Sequence, residues 1–168
     1  MKCAEDVLSM ENLTGVRDYL QRTAEWMKGK ARGWRYSCME EYVLENGQPF
    51  IYQPPPAPYV PHRGRWKECF ANAFRLAMVR DELRYAEGYA MRNGSFGMLH
   101  AWCVDAQGRV VDPTWDFPAE YYGVTYDLAY VGYVARKKGA FGVIDNWKEN
   151  YPLLRGESPH SGISGDVV

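Results

Sequence analysis

Three residues in the middle of the chain carry side chains that can perform nucleophilic chemistry together. They are Cys69, His100 and Asp112, in that order along the sequence. A thiolate is the reactive form of a cysteine, an imidazole can hold its proton, and a carboxylate can orient the ring. The sequence therefore predicts Cys69 as nucleophile, His100 as base and Asp112 as the residue that orients the histidine.

The cysteine is predicted to begin a buried helix. Apolar residues follow it at helical spacing, namely Phe70, Ala73, Phe74, Ala77 and Met78. At a helix N-terminus the aligned peptide dipoles and the unpaired N–H groups favour an anion. This position therefore suits a thiolate, and it also suits the oxyanion that forms when a carbonyl is attacked.

The histidine and the aspartate are predicted to lie on two successive strands, over 98–105 and 109–112. Side chains alternate along a strand, so His100 and Trp102 share one face. Cys103 points the other way and is predicted to be a small core residue outside the site. A hairpin of this kind would bring the histidine and the aspartate side by side.

The rest of the pattern completes the predicted architecture. In chain order it predicts a helix over 14–27 with Thr14 as N-cap, a strand or helix over 36–44, an extended proline-rich segment over 53–61, a strand over 84–90, a further strand over 130–135 and a short helix over 143–151. One domain over 1–155 and a flexible C-terminal tail over 156–168 are expected. The fold class is predicted to be α+β, with the cysteine helix packed on an antiparallel sheet that bears the histidine and the aspartate.

Composition and charge argue against several classes of partner. Lys+Arg 20 and Asp+Glu 21 give a net charge of −1, which provides no general attraction to nucleic acid or to anionic lipid. Apolar runs stay shorter than the about 20 residues of a membrane span, and the N-terminus lacks the apolar core of a secretion signal. A cytoplasmic protein with reduced cysteines is therefore expected. The spacing of its cysteines and histidines predicts no metal site, and no cofactor is expected.

Three segments carry a family resemblance. They are Cys69-Phe-Ala-Asn-Ala-Phe-Arg-Leu-Ala, then Tyr85-Ala-Glu-Gly-Tyr-Ala, then His100-Ala-Trp-Cys-Val-Asp-Ala-Gln-Gly-Arg-Val-Val-Asp-Pro-Thr-Trp115. Together they resemble the transglutaminase-like branch of the papain-like cysteine enzymes. In that family a cysteine starts a helix, a histidine lies on a strand in an H-x-W setting, and an aspartate precedes Pro-Thr on the next strand. The resemblance covers 64–116 and implies a papain-like fold.

The resemblance implies thiol acyl chemistry, and the predicted function is a thiol hydrolase that cleaves an amide or isopeptide bond through a covalent acyl-enzyme. Its substrate would be a peptide, a protein or a small amide, and the enzyme would be a monomer or a small homo-oligomer. The short separation of Cys69 and His100 favours a minimal hydrolase over a protein cross-linking enzyme. Two alternatives stay open: acyl transfer to an amine, as in transglutaminases, and a catalytically inactive papain-like binding module.

Four further residues are candidates for the oxyanion site and the cleft walls. Related thiol enzymes place a glutamine upstream of the nucleophile, so Gln53 is a candidate oxyanion donor, although an ordinary surface role is favoured. Trp66, three residues before Cys69, either walls the cleft or simply packs. Trp102 is expected to pack beside the histidine. Trp115 either shields the His–Asp pair from water or fills the core.

Overall fold

Five strands close into a barrel in the computed structural model, which describes residues 14–30, 33–54 and 64–159. The strands are β1 (Gln48–Tyr52), β2 (Arg84–Met91), β3 (Met98–Val104), β4 (Arg109–Val111) and β5 (Glu120–Tyr126). The α-helices of the described ranges are α1 (Val16–Met27), α2 (Met39–Asn46), α3 (Cys69–Val79) and α4 (Leu128–Lys138). A short 3-10 helix spans Trp147–Glu149.

The strand pairing brings the candidate site residues to one end of the barrel. The order is β1-β4-β3-β2-β5, and β5 pairs with β1 to close the ring. The β1–β4 pair is parallel and the other pairs are antiparallel. As a result the ends of β1, β2 and β4 meet the starts of β3 and β5. We call this end the barrel mouth; its strand-terminal residues are Tyr52, Met91, Met98, Val111 and Glu120.

The predicted papain-like architecture, an α+β fold with an open antiparallel sheet, is wrong. The sheet is closed, and one of its pairings is parallel. The prediction failed because β1 and β5 were not recognised as strands, and closure depends on both. Each pairs with segments far away in the sequence, such as Phe50 with Tyr121, and a local pattern does not report such pairings. The helix α3 does pack on the outer face of β3, through a hydrogen bond from the Cys103 thiol to the carbonyl oxygen of Ala73.

Alternation along the strands produces an inner and an outer core. The inner core fills the barrel and consists of Phe50, Ala86, Ala90, Trp102, Val104, Val110 and Tyr121. Trp102 is fully buried there, and space for its ring depends on Gly123, where a Cβ atom would lie 2.7 Å from Cη2 of the indole. The outer core lies between the barrel and the helices, and includes Leu20, Val43, Ala73, Tyr85, Cys103 and Val131.

The first two helices lie against the outer core. In α1 the buried residues Val16, Leu20 and Ala24 recur every four positions, which makes one apolar face. Its N-cap is Gly15 rather than the predicted Thr14. The open prediction for 36–44 resolves as the helix α2, whose first turn is capped by the sulfur of Cys38.

Two further secondary-structure predictions are wrong. The segment predicted as a strand over 130–135 lies inside α4, and the helix predicted over 143–151 contains only the 3-10 turn. Two other predictions fall largely on undescribed residues. These are the proline-rich segment over 53–61, of which 55–61 is outside the described residues, and the tail over 156–168, of which 160–168 is outside.

None of the helices within 14–30, 33–54 and 64–159 has both the length and the apolar character required to cross a lipid bilayer.

Candidate active site

Cys69 is the first residue of α3 and lies just below the surface. The residue is 8 % exposed. The preceding residue, Glu68, is the N-cap but forms no side-chain capping hydrogen bond. The first N–H groups of a helix have no partner within the helix. The first turn of α3 therefore offers N–H donors beside the sulfur, and its dipole favours negative charge there.

The start of α3 is fixed to the turn that follows Asp112. Nδ2 of the buried Asn72 donates to the carbonyl oxygen of Arg65 at 2.8 Å and to Oγ1 of Thr114 at 3.0 Å. The amide of Gly64 donates to the carbonyl oxygen of Pro113 at 2.8 Å. A Cβ atom at position 64 would lie within 2.0 Å of the Asn72 side chain, so only glycine fits. These bonds set the distance between the cysteine and aspartate segments.

His100 is buried at the barrel mouth and bonded to Asp112. The residue is 2 % exposed, and its Nε2 lies 2.6 Å from Oδ2 of Asp112. The side chain of Cys69 is the second group that acts on the ring and raises the pKa of its imidazole. Since Nε2 is engaged by the carboxylate, Nδ1 is the nitrogen left for the sulfur. The structure thus brings the three predicted residues together.

The carboxylate of Asp112 accepts four hydrogen bonds. Oδ1 accepts from the backbone amides of Thr114 at 2.8 Å and Trp115 at 3.0 Å. Oδ2 accepts from the hydroxyl of Tyr121 at 2.9 Å and lies against the His100 ring. An ionised carboxylate has about four acceptor positions, so this one is fully used. The carboxylate is therefore held rigidly, with one oxygen presented to the ring.

The environment of His100 favours its charged form. Burial alone acts to lower the pKa of the imidazole, because a buried charge loses its hydration. Hydrogen bonds to Asp112 and to Cys69 act in the opposite direction and outweigh burial. They raise the pKa of His100 from 6.5 to about 9. The ring therefore holds two protons at neutral pH, next to a thiol.

Aromatic rings cover the imidazole on one side. The Trp115 ring stacks on His100 with centroids 4.1 Å apart, and Phe117 stacks on Trp115 at 5.0 Å. The guanidinium of Arg92 lies 4.5 Å from the Phe117 centroid. Trp102 lies on the same face of β3 as His100, with ring centroids 6.3 Å apart. Trp115 and Trp102 thus both pack near the histidine, and Trp115 separates it from solvent.

The other two cleft candidates are exposed. Trp66 is 66 % exposed in the turn that leads into α3. Gln53 follows β1 directly and is also exposed. Because β1 and β4 run parallel, Gln53 leaves the barrel at the same end as Asp112. Gln53 therefore borders the barrel mouth, and neither residue belongs to the hydrogen-bonded cluster around Asp112.

The other described cysteines are structural. The prediction that Cys103 stays out of the site is confirmed, because its thiol is fully buried on the outer face of β3 and donates to Ala73. Burial raises the pKa of Cys103 well above its ordinary value. Burial likewise raises the pKa of Cys38 to about 12. Within the described ranges, neither thiol has the neighbouring imidazole that Cys69 has.

Sequence reasoning missed Tyr121, which touches Asp112 directly. It lies on β5, a strand that was not predicted. The segment 120–126 is rich in tyrosine, valine and threonine, which favour strands, and Pro118 precedes it as a boundary. That composition could have identified the strand, but not the contact across the barrel.

Metal sites and cavities are the other features of the described residues that could carry the same chemistry. No group of three or more His, Cys, Asp or Glu side chains in the described ranges is arranged to hold a metal ion. A cavity of about 410 Å³ opens at the opposite end of the barrel, where Leu83, Arg84, Tyr126 and Asp127 form part of its wall. The described residues that line it include neither cysteine nor histidine.

Comparisons of the chain with protein-family models, with curated proteins and with solved structures find no match.

Proposed function

We propose that this chain is a thiol hydrolase that cleaves an amide or isopeptide bond through an acyl-enzyme on Cys69. The observation that carries the proposal is the buried pair of His100 and Asp112, 2.6 Å apart, beside a thiol at the N-terminus of α3. The resemblance of the three sequence segments to transglutaminase-like enzymes is a second support. It concerns the chemistry of the segments and does not extend to the fold.

Activation of the sulfur follows from the charge of the neighbouring ring. His100 holds its second proton at neutral pH because its pKa is about 9. A positive imidazolium next to a thiol stabilises the thiolate by direct charge attraction. Asp112 balances the positive ring from the other side. The resting site is thus a thiolate–imidazolium pair oriented by a carboxylate.

Attack of the thiolate on the carbonyl carbon forms a C–S bond and moves an electron pair onto the oxygen. We assign the binding of this oxyanion to the N–H groups in the first turn of α3, which no side chain of the N-cap residue pairs. Each such donor contributes about 3 kcal/mol to the transition state. Gln53, at the edge of the barrel mouth, is the candidate for an additional side-chain donor.

Breakdown of the tetrahedral intermediate requires the proton held on His100. As the C–N bond breaks, the imidazolium donates this proton to the departing amine. The neutral ring then accepts a proton from water, whose oxygen attacks the thioester. The C–S bond breaks, the acid leaves and the thiolate–imidazolium pair is restored.

The surface around the site suits a substrate with apolar groups. Trp66 before Cys69, and Phe96 and Met98 before His100, are 66 %, 65 % and 56 % exposed. Exposed large apolar side chains at a site entrance favour contact with an apolar ligand group. We therefore propose a peptide, a protein or a small amide as substrate, bound by a monomer or a small homo-oligomer.

The proposed compartment is the cytoplasm. The described cysteines Cys38, Cys69 and Cys103 are all free thiols. A nucleophilic thiol has to stay reduced, and the cytosol maintains that state. The net charge of −1 supports a partner that is neither nucleic acid nor a membrane surface.

Intact-mass analysis after exposure to peptide, isopeptide and ester acyl donors tests the proposal. We expect a mass increase that maps to Cys69 and disappears in Cys69→Ala. Cys103→Ala is the matched control, because it removes a thiol from the other face of β3 and should keep the adduct. Full turnover by Cys69→Ala would rule the mechanism out.

The same assay separates the alternatives. With a primary amine added, a transferase yields amide product at the expense of the free acid, whereas a hydrolase yields mainly acid. If no donor is turned over and no adduct forms, a binding role without catalysis is the better account.

A further inference from the structure

Tyr121 contacts the triad from the far wall of the barrel. Its side chain extends from β5 into the inner core, and the residue is 1 % exposed. Its hydroxyl donates to Oδ2 of Asp112 at 2.9 Å. The same oxygen lies 2.6 Å from Nε2 of His100. One oxygen atom therefore serves both the phenol and the imidazole.

The two oxygens of Asp112 are held in different ways. Oδ1 is fixed by the backbone amides of Thr114 and Trp115, which no side-chain change removes. Among the described residues, Oδ2 has only Tyr121 as a partner besides the histidine. A donor on a carboxylate oxygen withdraws negative charge from it. Less charge on Oδ2 weakens its attraction for the imidazolium proton.

We infer that Tyr121 is a positioning residue of the triad, whose hydroxyl orients Oδ2 of Asp112 and limits how tightly His100 holds its proton. The inference deepens the proposed function and rests on it for its catalytic meaning. An imidazolium that holds its proton too strongly is a poor donor to a departing amine. Tyr121 thereby adjusts His100 for proton donation to the departing amine.

Tyr121 remains a donor throughout the working pH range. Burial, together with the neighbouring Asp112 charge, raises the pKa of its phenol far above its ordinary value. In the described part of the chain, the titratable groups that face His100 are Cys69 from α3, Asp112 after β4 and Tyr121 from β5. On β2 the residue paired with His100 is Gly88, which has no side chain. Of these groups Tyr121 is the one that can be changed without removing a member of the triad.

The test is an NMR titration of His100 in the full chain carrying Cys69→Ala, which requires no turnover. Adding Tyr121→Phe should move the titration midpoint of His100 upward by about half a pH unit, because Oδ2 regains charge while Oδ1 stays anchored. An unchanged or lower midpoint would overturn the inference. Substitution of Tyr121 by 3-fluorotyrosine, whose more acidic hydroxyl is a stronger donor, should move the midpoint downward. This second variant keeps the test informative if the phenylalanine variant fails to fold.

Tyr122→Phe is the matched control. Tyr122 is the next residue of β5, but its hydroxyl donates to the carbonyl oxygen of Leu44 outside the barrel. Its loss should leave the His100 midpoint unchanged. A shift of equal size in both variants would show a general effect of packing and would contradict a specific role for Tyr121.

Kinetics with an acyl donor test whether Tyr121 affects catalysis. In the chain with Cys69 intact, Tyr121→Phe should lower kcat about tenfold with KM nearly unchanged, and the alkaline limb of the pH profile should move upward. A chain that turns over no donor would contradict the proposed hydrolase, whereas the NMR midpoint would still decide the role of Tyr121. Unchanged kcat and an unchanged alkaline limb would contradict the inference alone.

Discussion

Two buried carboxylates, Asp112 at the barrel mouth and Glu87 on the outer face of β2, have nearly the same kind of environment. Glu87 is fully buried. Its Oε1 accepts from the amide of Ile144 at 2.8 Å, and Oε2 accepts from the amide of Val143 and from the hydroxyl of Tyr85, each at 2.9 Å. Each carboxylate thus accepts two backbone amides and one phenol.

The difference between them is the remaining partner. Asp112 has an imidazole that itself touches a thiol, whereas Glu87 has the charge of Lys138 nearby. The amine of Lys138 donates to the carbonyl oxygens of Gly142 and Asp145 and so fastens the loop after α4. Burial raises the pKa of Glu87, although its hydrogen bonds act against this. A buried, well-bonded carboxylate therefore does not by itself mark an active site, and what distinguishes Asp112 is an imidazole partner that lies beside a thiol.

The same type of substitution at both carboxylates should separate their roles, and the largest effect is expected at the barrel mouth. Asp112→Asn removes the charge that holds His100 protonated and oriented, so we expect turnover to fall about 1,000-fold. Glu87→Gln should change turnover by no more than a few-fold. Single-turnover kinetics of both variants with one ester substrate measure the contrast. Comparable losses of turnover would mean that the two clusters do not differ in the way described.

The second largest effect is expected in the pH dependence of the free energy of unfolding, to which His100 at the barrel mouth contributes. The pKa of His100 is raised in the folded state, from 6.5 to about 9. Stability from this group is complete below the unfolded value and is lost as the pH rises through the folded value. We expect a loss of up to about 3 kcal/mol in the free energy of unfolding across this window. Urea denaturation at several pH values measures it.

The control for this pH effect is Asp112→Asn. In this variant the free energy of unfolding should decline less between pH 6.5 and about pH 9. A decline of equal size in that variant would assign the effect to other groups. Glu87 contributes at lower pH: because its pKa is raised from 4.5, the stabilisation of its protonated form is lost as the pH rises above that value.

The smallest effect is expected for the stability of Glu87→Gln. The amide nitrogen of glutamine would have to face a donor, either the amide of Ile144 or the pair formed by Val143 and Tyr85. One hydrogen bond is then lost, although a buried charge is removed as well. We expect a net destabilisation of about 2 kcal/mol at neutral pH, measured by urea denaturation. A more stable variant would show that the buried charge costs more than its hydrogen bonds contribute.

The sequence predicted the parts of the site that depend on local pattern. The cysteine helix, the two strands that carry His100 and Asp112, and the direction of Cys103 follow from apolar spacing and from alternation. These elements are adjacent in the chain, and a short turn joins the two strands. Local rules therefore sufficed to bring the histidine and the aspartate together.

The sequence did not predict the features that depend on distant pairings. Closure of the barrel depends on β1 pairing with both β4 and β5, and the contact of Tyr121 with Asp112 depends on that closure. The segment 130–135 shows a second limit. Its apolar residues favoured a strand, but packing of Tyr130, Val131 and Val134 on the barrel makes it a helix. Tertiary context overrode local preference there.

The central claim is that a thiolate–imidazolium pair exists at Cys69, and the pH dependence of its alkylation tests it most directly. Iodoacetamide is applied to the wild type and to Asp112→Asn from about pH 5 to about pH 9, and peptide mapping follows each cysteine. We predict rapid modification of Cys69 in the wild type already at about pH 6, where ordinary thiols react slowly, and slower modification in the variant. If Cys69 reacts only at alkaline pH, or no faster than Cys38, the pair does not form and the proposed mechanism is contradicted.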